Sequence, residues 1–375
     1  MEKIFAYIAA LCLYANIPPY VVWHNDYAHW LSILFAIICI FNLIIKGSKG
    51  IVIITGFLFV VLYLAYCLRL DVNFNGFLRN FSIVFMFFLK KEFVLKILDA
   101  FKNIFALLLF LGLCTYLIVQ FTPLNLPYIV IEPLNILKNH NYLQYPFCVF
   151  EDTLISFRFC AQFDEPGVVG TLCGILLFAD NFNLKKKTNI ILLISGIFSV
   201  SLFFYGLALL YIFIYLPIKY KILVSLVILF VSVLLYNNEI IYNLVFRRFL
   251  IEDGEWTGNN RTIYEFDKFY DNFRFSFEYF VGTSNKYFLN LNEGGSSYKQ
   301  LIVRHGVIFF ALYILTYFVV AKKFFRKNIF LYMQFGIILL GTLYQRPVLS
   351  NYAYVFLLYS SIFYISAKSK QINLC

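Results

Sequence analysis

Arginine, carboxylates and glycines crowd the stretch from Arg158 to Thr171, where Asp164 and Glu165 directly precede Pro166, Gly167 and Gly170. Proline suits the first turn of a helix, so Pro166 marks a helix start. Two carboxylates just ahead of it sit at the positive end of the helix dipole. Gly167 and Gly170 leave room for a ligand or another helix to approach the backbone. A helix N-terminus with an arginine nearby is a ready environment for a pyrophosphate. Asp164 and Glu165 repel phosphate directly, so their expected work is to orient an arginine or to accept a proton. A capped helix with Arg158 snorkelling to a membrane interface accounts for the same residues equally well.

Three further patterns carry polar chemistry. Arg247 and Arg248 precede Glu252, Asp253, Glu255, Trp256, Asn260, Arg261 and Thr262. Such a run can form a surface ion-pair network of small energetic weight, but the turn at Asn260-Arg261-Thr262 has little packing reason to exist. Trp256 is a natural platform for a sugar ring. Gly294 to Tyr298 lead into a helix carrying Arg304, His305 and Gly306, and an ionisable residue in an apolar helix is a functional candidate by default. Gln345-Arg346-Pro347 forms the last turn on the same face. Arg69 and Asp71 read as interfacial anchors. No Ser-His-Asp order, phosphate-binding glycine loop or metal-ligand spacing is visible, so neither metal nor cofactor is expected. Chemistry here runs on arginines, carboxylates and positioning, which suits a substrate activated beforehand.

The elements that must position these residues follow from composition. Hydrophobic residues make up 62% of the 375-residue chain and charged residues only 14%, against about 25% charged in soluble domains. That deficit indicates an all-α, polytopic membrane protein forming a single domain over 1–375. Apolar runs predict helices at 4–22, 27–45, 51–68, 77–89, 103–121, 166–181, 188–201, 203–217, 220–236, 299–320, 329–344 and 349–366. The net charge of +11 is topological rather than a nucleic-acid signature. It falls in short clusters (Lys90 to Lys102, Lys185 to Lys187, Lys219 with Lys221, Lys322 to Lys327, Lys368 with Lys370) that read as cytoplasmic loops. Lysines on both sides of 188–217 require an even number of crossings between them, which the break at Ser199 to Ser201 with Gly206 allows. The first segment, lacking a small-residue cleavage site, reads as an uncleaved helix. Twelve helices with both termini inside put the polar segments 121–165 and 237–298 outside. There the aromatics of Tyr264 to Phe280, at helical spacing, predict a helix resting on the membrane interface.

In this order the motifs resemble the O-antigen polymerase family, related to the O-antigen ligases. The pieces that carry the resemblance are Arg158 with Phe163 to Gly170, Asn260-Arg261-Thr262, and Ser296-Ser297-Tyr298 leading to Arg304-His305-Gly306, together with the break around Ser199 to Gly206. The resemblance covers the fifth to twelfth helices. It implies a glycosyltransferase of the bacterial inner membrane, facing the periplasm, that joins undecaprenyl-pyrophosphate-linked oligosaccharides. Those lipid-linked sugars, membrane lipid and a chain-length regulator protein are the implied partners. Arg158 and Arg261 are expected to bind the pyrophosphate together, with Arg248 and Arg304 as secondary candidates. Trp256 and Asn260 are expected to meet sugar, and Glu165, Asp164 or His305 to handle the proton, Glu165 first. Ligases carry a histidine at the position of Gly295, which separates this chain from them. The alternatives are an O-antigen ligase and, in another class, a flippase for lipid-linked oligosaccharides; a transporter places its polar sites near the midplane with internal repeats, and neither is seen. Cys148 and Cys160, both in the outer segment, are expected to form a disulfide if that compartment is oxidising, the alternative being two unpaired thiols.

Overall fold

The computed structural model describes residues 2–17, 27–69, 74–132, 141–151, 158–236, 242, 247, 250–252, 255–256, 264–283, 298–325, 328–347 and 349–372. It is 78% helical, and each of the twelve apolar runs carries a helix. The chain gathers into two compact units, Met1–Phe204 with Ala311–Cys375, and Tyr205–Phe310.

In the first unit α1 (Glu2–Asn16), α2 (Ala28–Lys46) and α3 (Gly50–Leu68) are followed by α4 (Phe74–Phe81), which tightens into a 3-10 turn over Ser82–Phe88. Tightening places Phe87 flat on Phe59, with centroids 3.6 Å apart. Next come α5 (Lys91–Phe121), α6 (Pro166–Ala179), α7 (Lys187–Phe198), α13 (Ile329–Gln345) and α14 (Tyr352–Ile372). Helix α5 begins a dozen residues before the apolar run does, because Phe93, Val94, Ile97 and Phe101 bury one face while the charges interspersed among them hide the pattern. Helix α14 is the axis of the unit, buried from Tyr352 to Ser366. Its serines cost little there, since Ser360 and Ser361 bond back to carbonyls of their own helix.

Among the described residues two helices are long and apolar enough to cross a membrane, Lys91–Phe121 and Tyr298–Phe325, with mean hydropathy 2.4 and 1.8. Leucines, isoleucines and phenylalanines lie exposed along several other helices, Ile44 and Phe57 among them.

The first polar segment departs from the expectation of an all-helical chain. It holds an antiparallel sheet of β1 (Ile129–Ile131), β2 (Tyr142–Tyr145) and β3 (Cys148–Glu151), in that order. Ile129, Val130, Ile131 and Val149 are β-branched and favour pleated backbone. The β2–β3 turn is Pro146-Phe147, with Phe147 at φ +60°, the geometry a proline-led type II turn demands at its second central position. Thr115 on α5 donates to the Pro146 carbonyl at 2.7 Å and holds the turn down. Cys148 and Cys160 are not disulfide-bonded. Each points at a backbone carbonyl, Val149 and Arg158 respectively, and the expected disulfide is not present.

After α7 the chain forms α8 (Leu202–Tyr215) and α9 (Ile218–Leu235), and then α10 (Tyr264–Phe273) and the short α11 (Glu278–Val281). In the second unit α10 is amphipathic as predicted, but its aromatic face does not lie open. Phe266, Tyr270 and Phe273 are buried against Ile302 and Val303 at the start of α12 (Tyr298–Phe325). Among the described side chains the exposed aromatics lie beyond it, Phe277 and Phe280 among them. Helix α12 breaks at Gly306, φ +81°. There its backbone meets that of Gly282, φ +84°, so closely that a Cβ on either glycine would run into the other strand of chain. A side chain is excluded by both space and conformation.

Candidate active site

Local chemistry fixes the mouth of α6. Glu165 takes extended backbone as the N-cap residue and Pro166 opens the helix. The loop before it is braced from several sides. Tyr14 on α1 donates to Gln162 at 2.6 Å, and Phe163 packs between Tyr14 and Phe105. Val149 of β3 donates to the Ala161 carbonyl at 2.7 Å, and Phe159 to Phe198 at 2.8 Å. Arg158 therefore starts from a fixed backbone, with its Nε 3.4 Å from the Ser199 carbonyl. Burial lowers its pKa from the ordinary arginine range, opposed by the fields of Cys160, Glu151 and Glu165.

The two glycines have different tasks. Gly170 is covered by Ser199 and Ser201, so it serves the packing of the 199–201 break. Gly167 faces the Arg346 guanidinium, whose Nη2 lies 3.1 Å from where a Cβ would stand. Arg346, just past the end of α13, donates to Glu165 Oε2 at 2.7 Å. Glu165 makes no side-chain cap bond; it holds Arg346 across the helix mouth. Burial works against the Arg346 charge, but Tyr354, Glu165 and Asp164 outweigh it and raise its pKa above the usual range.

Tyr354 reaches this cluster from α14, whose start is capped by Asn351 accepting from the Ala353 and Tyr354 amides. Its hydroxyl and the Arg346 Nε are buried with no hydrogen-bond partner among the described residues. Two donors without an acceptor, at a helix N-terminus whose Glu165 charge also acts on Arg158, make an incomplete anion site. Leaving a buried polar group unmet costs about 1–3 kcal/mol, and an arriving phosphate oxygen supplies what both lack.

A cleft of about 560 Å³ opens beside β2 and β3. Tyr128, Tyr145, Gln120, Thr122, Asn125 and Glu151 are among its lining residues. Rings of Tyr128 and Tyr145 lie 5.3 Å apart, and Phe150 meets Tyr145 edge-on at 5.4 Å. The Gln120 Nε2 is buried with no partner among the described residues. Aromatic faces interleaved with amide, hydroxyl and carboxylate groups suit a sugar, which presents apolar ring faces and hydroxyl edges. Glu151 links cleft to cluster, since its charge acts on Arg158.

Of the residues singled out in the sequence, the structure thus brings Arg158, Asp164 and Glu165 together. Arg304 and His305 belong to the second unit, where His305 is buried with its ring 5.1 Å from Phe309. Arg248, Asn260 and Arg261 lie outside the described residues, as does the Trp256 side chain. Sequence reasoning noted Arg346 without a role and missed Tyr354. Arginine before Pro347 at a helix end was the available signal; a tyrosine in an apolar helix gave none. No family model, no curated protein and no solved structure matches the chain.

Proposed function

We propose that the chain is an O-antigen polymerase, a twelve-helix glycosyltransferase of the bacterial inner membrane with both termini cytoplasmic and its site facing the periplasm. The observation that supports this reading best is the pair of unmet donors, Arg346 Nε and the Tyr354 hydroxyl, at the mouth of α6, where the Glu165 charge also acts on Arg158. These groups suit the pyrophosphate of an undecaprenyl-linked donor, and the aromatic cleft at β2 and β3, whose Glu151 acts on Arg158, suits its sugars.

In the reaction, a hydroxyl oxygen of one lipid-linked repeat unit attacks the anomeric carbon of the growing chain. The bond from that carbon to the pyrophosphate oxygen breaks, and undecaprenyl pyrophosphate leaves with the electron pair. Arg158 and Arg346 neutralise the charge that develops on the leaving oxygen, which is where fixed donors help most. Arginine suits the task because its planar fork meets two phosphate oxygens at once. The hydroxyl proton passes to Glu165 or Asp164 and then to solvent. Holding two lipid-anchored reactants in one site supplies the proximity advantage. Arg261, Arg248 and Arg304 remain further candidates for phosphate, Trp256 and Asn260 for sugar, and His305 for the proton.

Deleting the gene in its own bacterium and running lipopolysaccharide on a gel tests the assignment. A polymerase leaves lipid A core carrying a single repeat. Loss of every repeat from lipid A points instead to the ligase, and single lipid-linked repeats trapped on the cytoplasmic side point to a flippase.

A further inference from the structure

At the other end of α6 the chain builds a second charged site, which the polymerase reading does not use. Asp180 ends the helix with its carboxylate fully buried, and three ammonium groups converge on it: Lys102 at 2.6 Å, Lys186 at 2.9 Å and Lys368 at 3.5 Å. Asn189 adds a fourth donor at 2.9 Å. A carboxylate offers about four lone-pair sites, so Asp180 is saturated. The lysines differ: Lys186 meets both Asp180 oxygens, at 3.4 and 2.9 Å, as well as the Tyr364 hydroxyl, while Lys368 only approaches Asp180, and each ammonium carries three donors. The same three lie 5.5–5.9 Å from the Tyr364 ring centre, and Lys186 also donates to the Tyr364 hydroxyl at 2.9 Å.

Charge does not balance here. Among the described residues, Asp99 is the other carboxylate whose charge acts with the three lysines, so three positive charges meet two negative ones there. The excess faces open space. A cleft of about 200 Å³ is lined by Leu95, Asp99, Lys186, Tyr364, Ala367 and Lys368. Lys186 and Lys368 keep 38% and 24% of their side chains exposed, whereas Lys102 keeps 5%. Lys102 is thus the structural partner of Asp180; Lys368 keeps donors for an incoming group, and Lys186 offers one by exchanging its long 3.4 Å bond to Asp180 Oδ1.

We propose that this cleft binds a phosphate group, with Lys186 and Lys368 as its ligands and the Tyr364 hydroxyl beside them. Lysine binds phosphate as a point charge, and lysines at helix ends meet anionic headgroups where a helix leaves a bilayer. The phosphate comes either from an anionic lipid headgroup or from a free phosphorylated solute.

Purified full-length protein distinguishes the sources. Retention on nanodiscs of phosphatidylglycerol is compared with phosphatidylcholine, and thermal protection by inorganic phosphate is measured in neutral detergent. Preference for phosphatidylglycerol identifies the headgroup, and protection by inorganic phosphate identifies the free anion; either supports the site. The Lys186→Gln/Lys368→Gln double variant should bind the effective probe on the order of tenfold more weakly, the loss of about 1.4 kcal/mol. Asp99→Asn, which removes a competing charge without touching the lysines, should tighten binding, and it reports even where the double variant fails to fold. No preference between the two lipids together with no protection by phosphate overturns the proposal, as does unchanged binding by Asp99→Asn.

Discussion

Replacing Arg346 by alanine separates a catalytic role from a structural one, because the two predict losses of different size. Structurally, the substitution removes one charge-assisted bond, Nη2 to Glu165 at 2.7 Å, of a class worth about 1.5–3 kcal/mol. The lower end applies, since Glu165 keeps 43% of its side chain exposed and water re-solvates its carboxylate. The Nε already lacks a partner among the described residues, so its deletion costs the free protein nothing. Catalytically, removing one fixed donor from a developing anion costs about 10²–10³ in rate, or roughly 2.7–4 kcal/mol of barrier. Activity should therefore fall far more than stability. Arg346→Ala should accumulate in the membrane at close to the normal level, yet leave lipopolysaccharide with single repeats on a gel. Arg346→Lys should fail as well, because an ammonium cannot reach Glu165 and a phosphate with one planar fork. Wild-type chain lengths from Arg346→Ala would refute the assignment and leave the arginine as a clamp on Glu165.

Other outcomes follow from the same geometry. Glu165→Gln keeps the size and one acceptor for Arg346 but takes no proton, so it should insert normally and make no polymer; normal polymer would confine Glu165 to holding Arg346. Asp180→Asn leaves three lysines with no buried counter-charge, and breaking such a pair costs about 3–5 kcal/mol, which should appear as a lower inactivation temperature in detergent. The pH dependence has a definite sign: burial opposes the Asp180 charge, but Lys102, Asn189 and Lys186 win and hold its pKa below the usual carboxylate range. Its contribution is complete above the unfolded value of about 4 and is lost only as pH falls further. A stability profile declining between pH 7 and 5 through this group would contradict that. Cys148 and Cys160, 1% and 3% exposed, should resist alkylation in the native protein, burial having pushed the Cys148 thiol well up. Both should label after denaturation without reductant, and labelling only after reduction would show a disulfide.

Much of the helical frame was legible because apolar runs broken by lysines and polar loops leave few ways to place helices. Pro166 announced the start of α6, and the serines at 199 and 201 announced the break that covers Gly170. The sheet at 129–151 was not legible, since its strands are only three or four residues long and its apolar residues read equally well as interfacial. The partner of Glu165 was hidden for another reason. Arg346 lies 181 positions away, and only the packing of α13 against α6 brings it close. Lys102, Lys186 and Lys368 misled in the opposite direction. As residues they fit loop charges, and the same types and spacing would stand in any cytoplasmic cluster. Nothing in the local pattern shows that one of them is buried on Asp180.

Helix α6 explains why the two charged sites differ in kind. Its 14 residues span about 21 Å, with no charged residue between its ends. At its N-terminus the dipole favours negative charge, so a carboxylate can stand there and a phosphate can join it, provided arginines supply the fork that two oxygens need. At its C-terminus the dipole favours cations, so Lys102, Lys186 and Lys368 gather where the last carbonyls and Asp180 attract them. Arginine at the first end and lysine at the second follow from what each must do. In the proposed reaction the first site has to hold a shaped, reacting group in one orientation; the second neutralises a buried carboxylate and, on the proposal above, meets a phosphate with point charges. Exchanging the types should therefore be asymmetric. Arg346→Lys is expected to abolish polymer formation, whereas Lys368→Arg, 24% exposed and 3.5 Å from Asp180, should leave both chain length and thermal stability near normal. Equal tolerance of the two exchanges on the same gel and melting assay would show that charge alone, without the fork, suffices at the α6 mouth.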